Sequence, residues 1–138
     1  MTFLPEDDVE FLQRKGIPYE LRSETLPDGA ARNGVVFPRF SFAGNLFTVE
    51  GNQLVSCSVC DLLVLIPAQY STTKLDSFYT RPHLKRQDGS DPVNTAPDHE
   101  VFKEKWQFWS RHLAADQWQP DIDGLETYLQ HVRDALKV

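Results

Sequence analysis

The chain has 138 residues, enough for one hydrophobic core and too few for two ordinary domains, so we expect a single domain over residues 1–138. Its hydrophobic share of 41% is typical of a packed globule, and no apolar run reaches the roughly 20 residues of a membrane helix. The net charge of −6 repels phosphate backbones and the start lacks a basic leader, so we expect a cytoplasmic protein that binds neither nucleic acid nor a membrane.

The first predicted element is a short helix over residues 5–15. Pro5 suits the first helical position, and Gly16 is a stop signal. Charged side chains at both ends have the sign that stabilises the helix dipole: Glu6, Asp7 and Asp8 at the start, Arg14 and Lys15 at the end. Apolar residues would form the buried side of this helix: Val9, Phe11 and Leu12.

Short β-prone runs follow, separated by turn-forming residues. They cover residues 35–37, 46–49, 53–59 and 62–66. This pattern predicts an antiparallel meander. The continuous apolar run 62–66 is typical of a central strand that is buried on both faces, with a helix against one of them.

Two helices are predicted in the C-terminal third, after a polar, breaker-rich loop at 86–97. The first would open at Thr95-Ala96-Pro97-Asp98, which resembles a capping box. Its apolar stripe has steps of four, three and four: Phe102, Trp106, Trp109 and Leu113. The second covers residues 122–136 and carries another stripe: Ile122, Leu125, Leu129, Val132 and Leu136.

Cys57 and Cys60 form a C-x-x-C pair for which three interpretations compete. A redox motif would open a helix after a strand, whereas this pair lies in a β-prone run. A zinc site would need two further ligands at similar spacing, and no such pair follows. We therefore expect free thiols on opposite faces of a strand, and we expect no metal site.

The spacing around Ser110 is the strongest functional signal. Trp109-Ser110-Arg111-His112-Leu113 is followed by Trp118-Gln119-Pro120, so Ser110 lies eight residues before a Trp-x-Pro motif. This resembles the active-site segment of a ubiquitin-conjugating enzyme, with serine in place of cysteine. The run 62–70, which ends in Pro67-Ala68-Gln69-Tyr70, resembles the family's strand and Pro-x-x-Tyr segment, and a further strand is then expected near 75–79.

The opening Leu4-Pro5-Glu6-Asp7-Asp8-Val9-Glu10-Phe11-Leu12 and the stretch Asp123-Gly124-Leu125 narrow the resemblance. Together with 106–112 they resemble a bacterial branch, the prokaryotic ubiquitin-conjugating-like family E. The resemblance implies an α+β fold with an N-terminal helix, a four-stranded antiparallel meander and C-terminal helices.

The resemblance implies a transferase that needs no cofactor. It would accept a ubiquitin-like (β-grasp) modifier from an activating enzyme on Ser110, as an oxyester, and pass it to an acceptor protein. The alternative is a catalytically inactive module of the same fold that binds the modifier or its activating enzyme. A third interpretation is an unrelated structural domain whose Trp-x-Pro spacing is accidental. The missing cysteine and the missing His-Pro-Asn triad ten residues before the nucleophile keep these alternatives open.

His112 and His99 are the candidate general bases, since imidazole titrates near neutral pH. Residues two apart do not face each other on a helix, so His112 can serve Ser110 only from a loop or 3₁₀ turn. His99 would lie roughly 16 Å from Ser110 on a continuous helix. Arg111 is a candidate oxyanion donor or contact for the modifier's tail. Trp109 and Trp118 are candidates for substrate binding, with a place in the core as the alternative.

Overall fold

A six-stranded antiparallel sheet is the main element of the fold, which a computed structural model describes for residues 3–113 and 115–138. In spatial order its strands are β1 (Glu20–Thr25), β2 (Ala31–Ser41), β5 (Val59–Ile66), β6 (Phe78–Arg81), β8 (Glu104–Trp109) and β7 (Thr95–Val101). A separate hairpin contains β3 (Phe47–Glu50) and β4 (Gln53–Ser56). Helix α1 (Glu6–Lys15) precedes the sheet, and a 3₁₀ turn (Ala115–Gln117) and helix α2 (Leu125–Ala135) follow it. The α+β class with an antiparallel sheet is confirmed.

The predicted four-stranded meander is wrong in its extent. Strands β1, β2, β5 and β6 do follow one another as antiparallel neighbours, but β8 pairs with β6 and β7 pairs with β8. Residues 46–56 leave the sheet and form the β3–β4 hairpin instead. The added pair β8 and β7 satisfies the backbone groups that β6 would otherwise present as an open edge.

The helix predicted to open at Thr95 is also wrong, because this segment is the β7–β8 hairpin. Phe102 and Lys103 have φ angles of 53° and 63°, the left-handed conformation that a two-residue hairpin turn requires. The three-and-four spacing of aromatic residues imitates a helix, but it spans a turn. The segment forms strands because β8 pairs with β6. The free energy of pairing and burying a whole strand outweighs the local conformational preference of its residues.

Strand β5 is an inner strand that is buried on both faces, as predicted for residues 62–66. Leu62, Val64 and Ile66 belong to the large core that includes α1 and α2. Leu63 points to a smaller core on the opposite face with Val36 and Trp106. The helical layer therefore covers one face of the sheet.

The two helices form where the sequence predicts them, although α2 is the only α-helix that follows the sheet in the described part of the chain. Helix α1 ends at Gly16, whose φ of 65° is the left-handed conformation that favours glycine. Asp8 of α1 is buried and accepts a hydrogen bond from the backbone N–H of Leu125, at the start of α2, over 3.1 Å. No helix in the described ranges is long and apolar enough to span a membrane.

The tip of the β7–β8 hairpin folds back over the second face of the sheet. The ring of Phe102 lies against Gly34 of β2, and its backbone N–H donates to Glu24 of β1. Glu104 pairs with both Arg22 and Arg81, and these guanidinium groups hold the pKa of its carboxyl below the ordinary range. The tip therefore covers one end of this face and leaves a cleft at the other end.

Candidate active site

Ser110 lies directly after β8, in a segment that is not helical. The last residue of β8, Trp109, pairs with Phe78 of β6 on one side and with Thr95 of β7 on the other. The backbone N–H of Ser110 donates to the carbonyl of Asn94 over 2.9 Å. Three strands thus position Ser110, and the irregular backbone after it allows His112 to fold back toward it.

Ser110, His112 and Asp76 form a hydrogen-bonded chain that we call the Ser110 triad. Ser110 Oγ is 3.2 Å from His112 Nε2, and His112 Nδ1 is 2.7 Å from Asp76 Oδ1. An ionised carboxylate can only accept, so Nδ1 carries the proton and Nε2 is left to accept from the serine hydroxyl. This is the arrangement in which a histidine acts as general base toward a serine and a carboxylate orients the ring.

The Ser110 triad is open to solvent. The side chain of His112 is 63% exposed and that of Asp76 is 49% exposed. Residues 110–113 form the non-helical loop that His112 needs to reach Ser110. Water and a large acyl donor can both approach the site.

Asp76 is the residue that sequence reasoning missed. It lies 36 residues before His112 and two residues before β6, with the fully buried Leu75 anchoring the chain beside it. Because β6 pairs antiparallel with β8, the start of β6 and the end of β8 lie at the same edge of the sheet. An acidic residue within the strand expected near 75–79 was the available signal, but only the pairing of β6 with β8 relates it to Ser110.

Arg111 is tethered to backbone rather than to an acidic group. Its Nη1 donates to the Ser110 carbonyl over 2.8 Å, and its guanidinium lies 5.1 Å from the centre of the Trp109 ring. Its backbone N–H donates to Ser77 Oγ over 3.2 Å. Burial lowers the pKa of Arg111, and the described residues form no ion pair with it. These contacts fix the backbone on either side of the nucleophile.

His99 is not brought to Ser110. It lies on β7 opposite Trp106 of β8. Trp106 is four residues before Ser110, and four residues span about 13 Å along a strand. Its ring stacks on Phe108 with centroids 4.9 Å apart and lies 6.2 Å from the ring of Tyr79. These contacts make His99 a member of a surface aromatic cluster and not a base next to the nucleophile.

Trp109 and Trp118 are buried, which favours a place in the core over a role in substrate binding. Trp109 is fully buried, stacks on Phe78 and donates its indole N–H to Thr80 Oγ1 over 2.8 Å. Trp118 is 6% exposed and donates to the carbonyl of Ser71 over 3.0 Å. Trp109 therefore anchors the residue next to Ser110 in the core, and Trp118 anchors the Trp-x-Pro segment against Tyr70 and Ser71.

A cleft of about 630 Å³ adjoins the Ser110 triad, with Asp76, Ser77 and His112 in its lining. Other walls are mostly apolar: Leu26, Leu65, Ile66, Ala68, Tyr79 and Phe108. The two cations of the lining already have partners. Lys74 donates to the Leu113 carbonyl, and Arg32 pairs with Glu24.

A second histidine–carboxylate pair lies at the opposite end of β6. His83 Nε2 is 2.7 Å from Asp91 Oδ1, the same separation as between His112 and Asp76. The hydrogen bond from His83, with help from Lys85, holds the pKa of the Asp91 carboxyl below its ordinary range. Asp76 precedes β6 and His83 follows it. The His83–Asp91 pair therefore serves as a matched control for the His112–Asp76 pair of the triad.

Both cysteine thiols are free, but they do not lie on opposite faces of a strand. Cys57 lies between β4 and β5, and its thiol donates to the Val59 carbonyl over 3.1 Å. Cys60 is buried in β5, and burial raises the pKa of its thiol. Both residues contact the same large core, because the chain turns between them. The described residues contain no group of histidine, cysteine, aspartate and glutamate side chains that could hold a metal ion.

Comparison with known proteins identifies one family. The model of prokaryotic E2 family E matches residues 4–138, which include both helices, all the strands and all three members of the Ser110 triad. No curated protein and no solved structure matches the chain.

Proposed function

The chain belongs to prokaryotic E2 family E, and on that premise we propose that it is an E2-like conjugating transferase whose acyl-accepting residue is Ser110. The observation that carries this proposal is the Ser110 triad. The side chain at the cysteine's position is hydrogen-bonded to an imidazole nitrogen, and a carboxylate orients that imidazole. An inert substitution of the cysteine would not need either contact.

The chemistry begins with a ubiquitin-like modifier held as a thioester on its activating enzyme. Ser110 Oγ attacks the thioester carbonyl and gives its proton to His112 Nε2. The carbon–sulfur bond breaks, the departing thiol takes the proton from His112, and the modifier remains on Ser110 as an oxyester. A serine hydroxyl is a weak nucleophile at neutral pH, so a positioned base contributes on the order of 10²- to 10⁴-fold in rate.

The second half transfers the modifier to an amine or hydroxyl of the acceptor. His112 takes a proton from the attacking group, and the Ser110 oxygen leaves with a proton from His112. An oxyester is less activated than a thioester, so this half depends more on the base than the first half does. The open position of His112 leaves room for an acceptor protein to approach.

The test is the chemical nature of the adduct formed with activating enzyme, modifier and ATP. We expect an adduct that survives reducing agent and is cleaved by mild alkali or hydroxylamine. Ser110→Ala should abolish it, and Ser110→Cys should restore an adduct that thiol cleaves. Ser58→Ala, at an exposed serine outside the site, is the matched control and should charge normally.

Two results would overturn the proposal. One is normal charging of Ser110→Ala. The other is failure to form any adduct with the cognate enzyme and modifier present. The first result would place the acyl-accepting residue elsewhere in the chain, and the second would leave the non-catalytic binding module as the function of the fold.

A further inference from the structure

We propose that the Ser110 triad also hydrolyses small activated esters without any modifier or activating enzyme, with the acyl group held in the adjoining cleft. This activity goes beyond modifier transfer, because its acyl donor is a small molecule and its acceptor is water. The geometry needed for it is complete within this chain. Hydroxyl, imidazole and carboxylate are joined in one line by contacts of 3.2 and 2.7 Å.

The cleft supplies a place for a small acyl group. Its volume of about 630 Å³ is within the range of pockets that bind small molecules, roughly 300 to 1,000 Å³. Asp76 and His112 line it, and Ser110 Oγ lies just outside the lining, 3.2 Å from His112 Nε2, so an acyl group at this end of the cleft lies next to the triad. Leu65, Tyr79 and Phe108 contribute apolar surface.

The charges of the cleft favour a neutral substrate. Arg32 is paired with the Glu24 carboxylate. Lys74 donates to a carbonyl and keeps its positive charge, which the negative charge of Asp76 in the same lining offsets, so the cleft has no excess positive charge for an anion. The chemical class is therefore a neutral ester with a short apolar acyl chain and a good leaving group.

Each step balances with water as the co-reactant. Ser110 Oγ bonds to the ester carbonyl carbon and its proton passes to His112 Nε2. The ester C–O bond breaks, and the alcohol leaves with that proton. Water then attacks the acyl-serine, His112 takes its proton, and the carboxylic acid leaves as the proton returns to Ser110. The solvent exposure of His112 gives water access to the acyl-serine, which a closed site would prevent.

Turnover of p-nitrophenyl acetate and p-nitrophenyl butyrate by the full chain tests this proposal. We expect saturable release of nitrophenol by the native protein. Ser110→Ala and His112→Ala should each lower kcat/KM on the order of 10²-fold or more. Ser58→Ala and His83→Ala, the latter removing an imidazole with the same carboxylate distance, should retain native turnover. Circular dichroism would verify that all four variants are folded.

The Ser110→Ala variant separates triad chemistry from the ester hydrolysis that any free imidazole catalyses. Turnover in Ser110→Ala equal to that of the native protein would overturn the proposal, as would a rate that never saturates. Labelling by phenylmethylsulfonyl fluoride gives a second measurement, and mass spectrometry should place the sulfonyl group on Ser110. A label on other residues alone would contradict the proposal.

Ala68→Trp tests the role of the cleft, because the indole would fill space lined by an exposed alanine. The butyrate KM should rise more than the acetate KM. Equal effects on the KM of both esters would show that the cleft does not hold the acyl group.

The ester and adduct assays also separate this inference from the proposed function. Ester turnover without a modifier adduct would leave this inference standing and overturn the proposed transferase function. An adduct without ester turnover would overturn this inference and leave the transferase function standing.

Discussion

Asp76 determines which nitrogen of His112 is free to act as a base. Its Oδ1 lies 2.7 Å from Nδ1 and holds the proton there, so Nε2 faces Ser110 with its lone pair. An amide at position 76 could instead donate to Nδ1 and favour the wrong tautomer. Removing one such orienting group therefore affects rate more than it affects stability, since both side chains are about half exposed or more.

Asp76→Asn should accordingly slow modifier loading on Ser110 by on the order of 10²-fold or more, with little change in the midpoint of thermal unfolding. Rapid-quench measurement of adduct formation is the assay. Asp91→Asn removes a carboxylate at the same distance from His83 and should load at the native rate. Equal loading rates in Asp76→Asn and the native protein would show that the carboxylate has no orienting role.

At the scale of the elements, the β7–β8 hairpin shows why a helical pattern became strands. The hairpin tip is held from three sides, by Glu24 on its backbone, by Arg22 and Arg81 on Glu104, and by Gly34 beneath the Phe102 ring. A Cβ at position 34 would meet Phe102 Cε2 at 2.8 Å and Leu63 Cδ1 at 3.0 Å. Glycine is needed here for close approach and not for its backbone freedom.

Gly34→Ala should therefore destabilise the fold by about 1–3 kcal/mol, the usual cost of inserting a methyl group into a filled site. Urea denaturation gives this value. The double variant Gly34→Ala with Phe102→Ala removes the clash, so its loss should be smaller than the sum of the two single losses. Strict additivity would mean that the tip does not rest on Gly34.

The β7–β8 hairpin also completes the site. Strand β8 ends at Trp109, and its pairing with β6 carries Ser110 to the edge where Asp76 lies. A helix over the same residues would have left Ser110 and His112 on different sides of its axis, since residues two apart do not face each other. The β7–β8 hairpin, which forms in place of the predicted helix, is therefore the reason that the triad can form.

At the scale of the whole molecule, Asp8 joins three distant segments. It is only 6% exposed, and its carboxylate accepts from the Leu125 N–H at the start of α2 and from the hydroxyl of Tyr70. Tyr70 ends the Pro-x-x-Tyr segment and contacts Trp118, with ring centroids 6.3 Å apart. Burial raises the pKa of Asp8 despite both hydrogen bonds.

This raised pKa has a consequence for stability as a function of pH. The folded protein binds the Asp8 proton more tightly than the unfolded chain does. The stabilisation is fully present below the ordinary value of 3.8 and is lost as the pH rises through the folded pKa. Asp8→Asn lacks this loss, so its stability relative to the native protein should increase as the pH is raised from about 3.8 toward neutrality.

Thermal unfolding of both proteins across that pH range measures the difference. Ser58→Ala, at an exposed serine that does not titrate, should follow the pH dependence of the native protein. A difference between Asp8→Asn and the native protein that is constant with pH would contradict the expected linkage. The direction of the change matters more than its size in this test.

The sequence by itself determined the elements whose signals are local. Helix α1 has its dipole-matched charges and its glycine stop, α2 has a regular apolar stripe, and the run 62–66 is apolar on both faces of β5. The spacing of Ser110 before Trp118 indicated the family, and His112 needed only a non-helical loop to reach Ser110. Each of these features depends on neighbours within about ten residues, where periodicity and turn chemistry are informative.

Only the tertiary structure decided the features that depend on pairing between distant strands. The segment 95–109 became a hairpin because β6 pairs with β8, and the same register joined Asp76 to His112 across 36 residues. The burial of Trp109 and Trp118 follows from which face of the sheet the helices cover. Strand pairing is chosen by the free energy of the whole sheet and core, and no local pattern in a single strand specifies its partner.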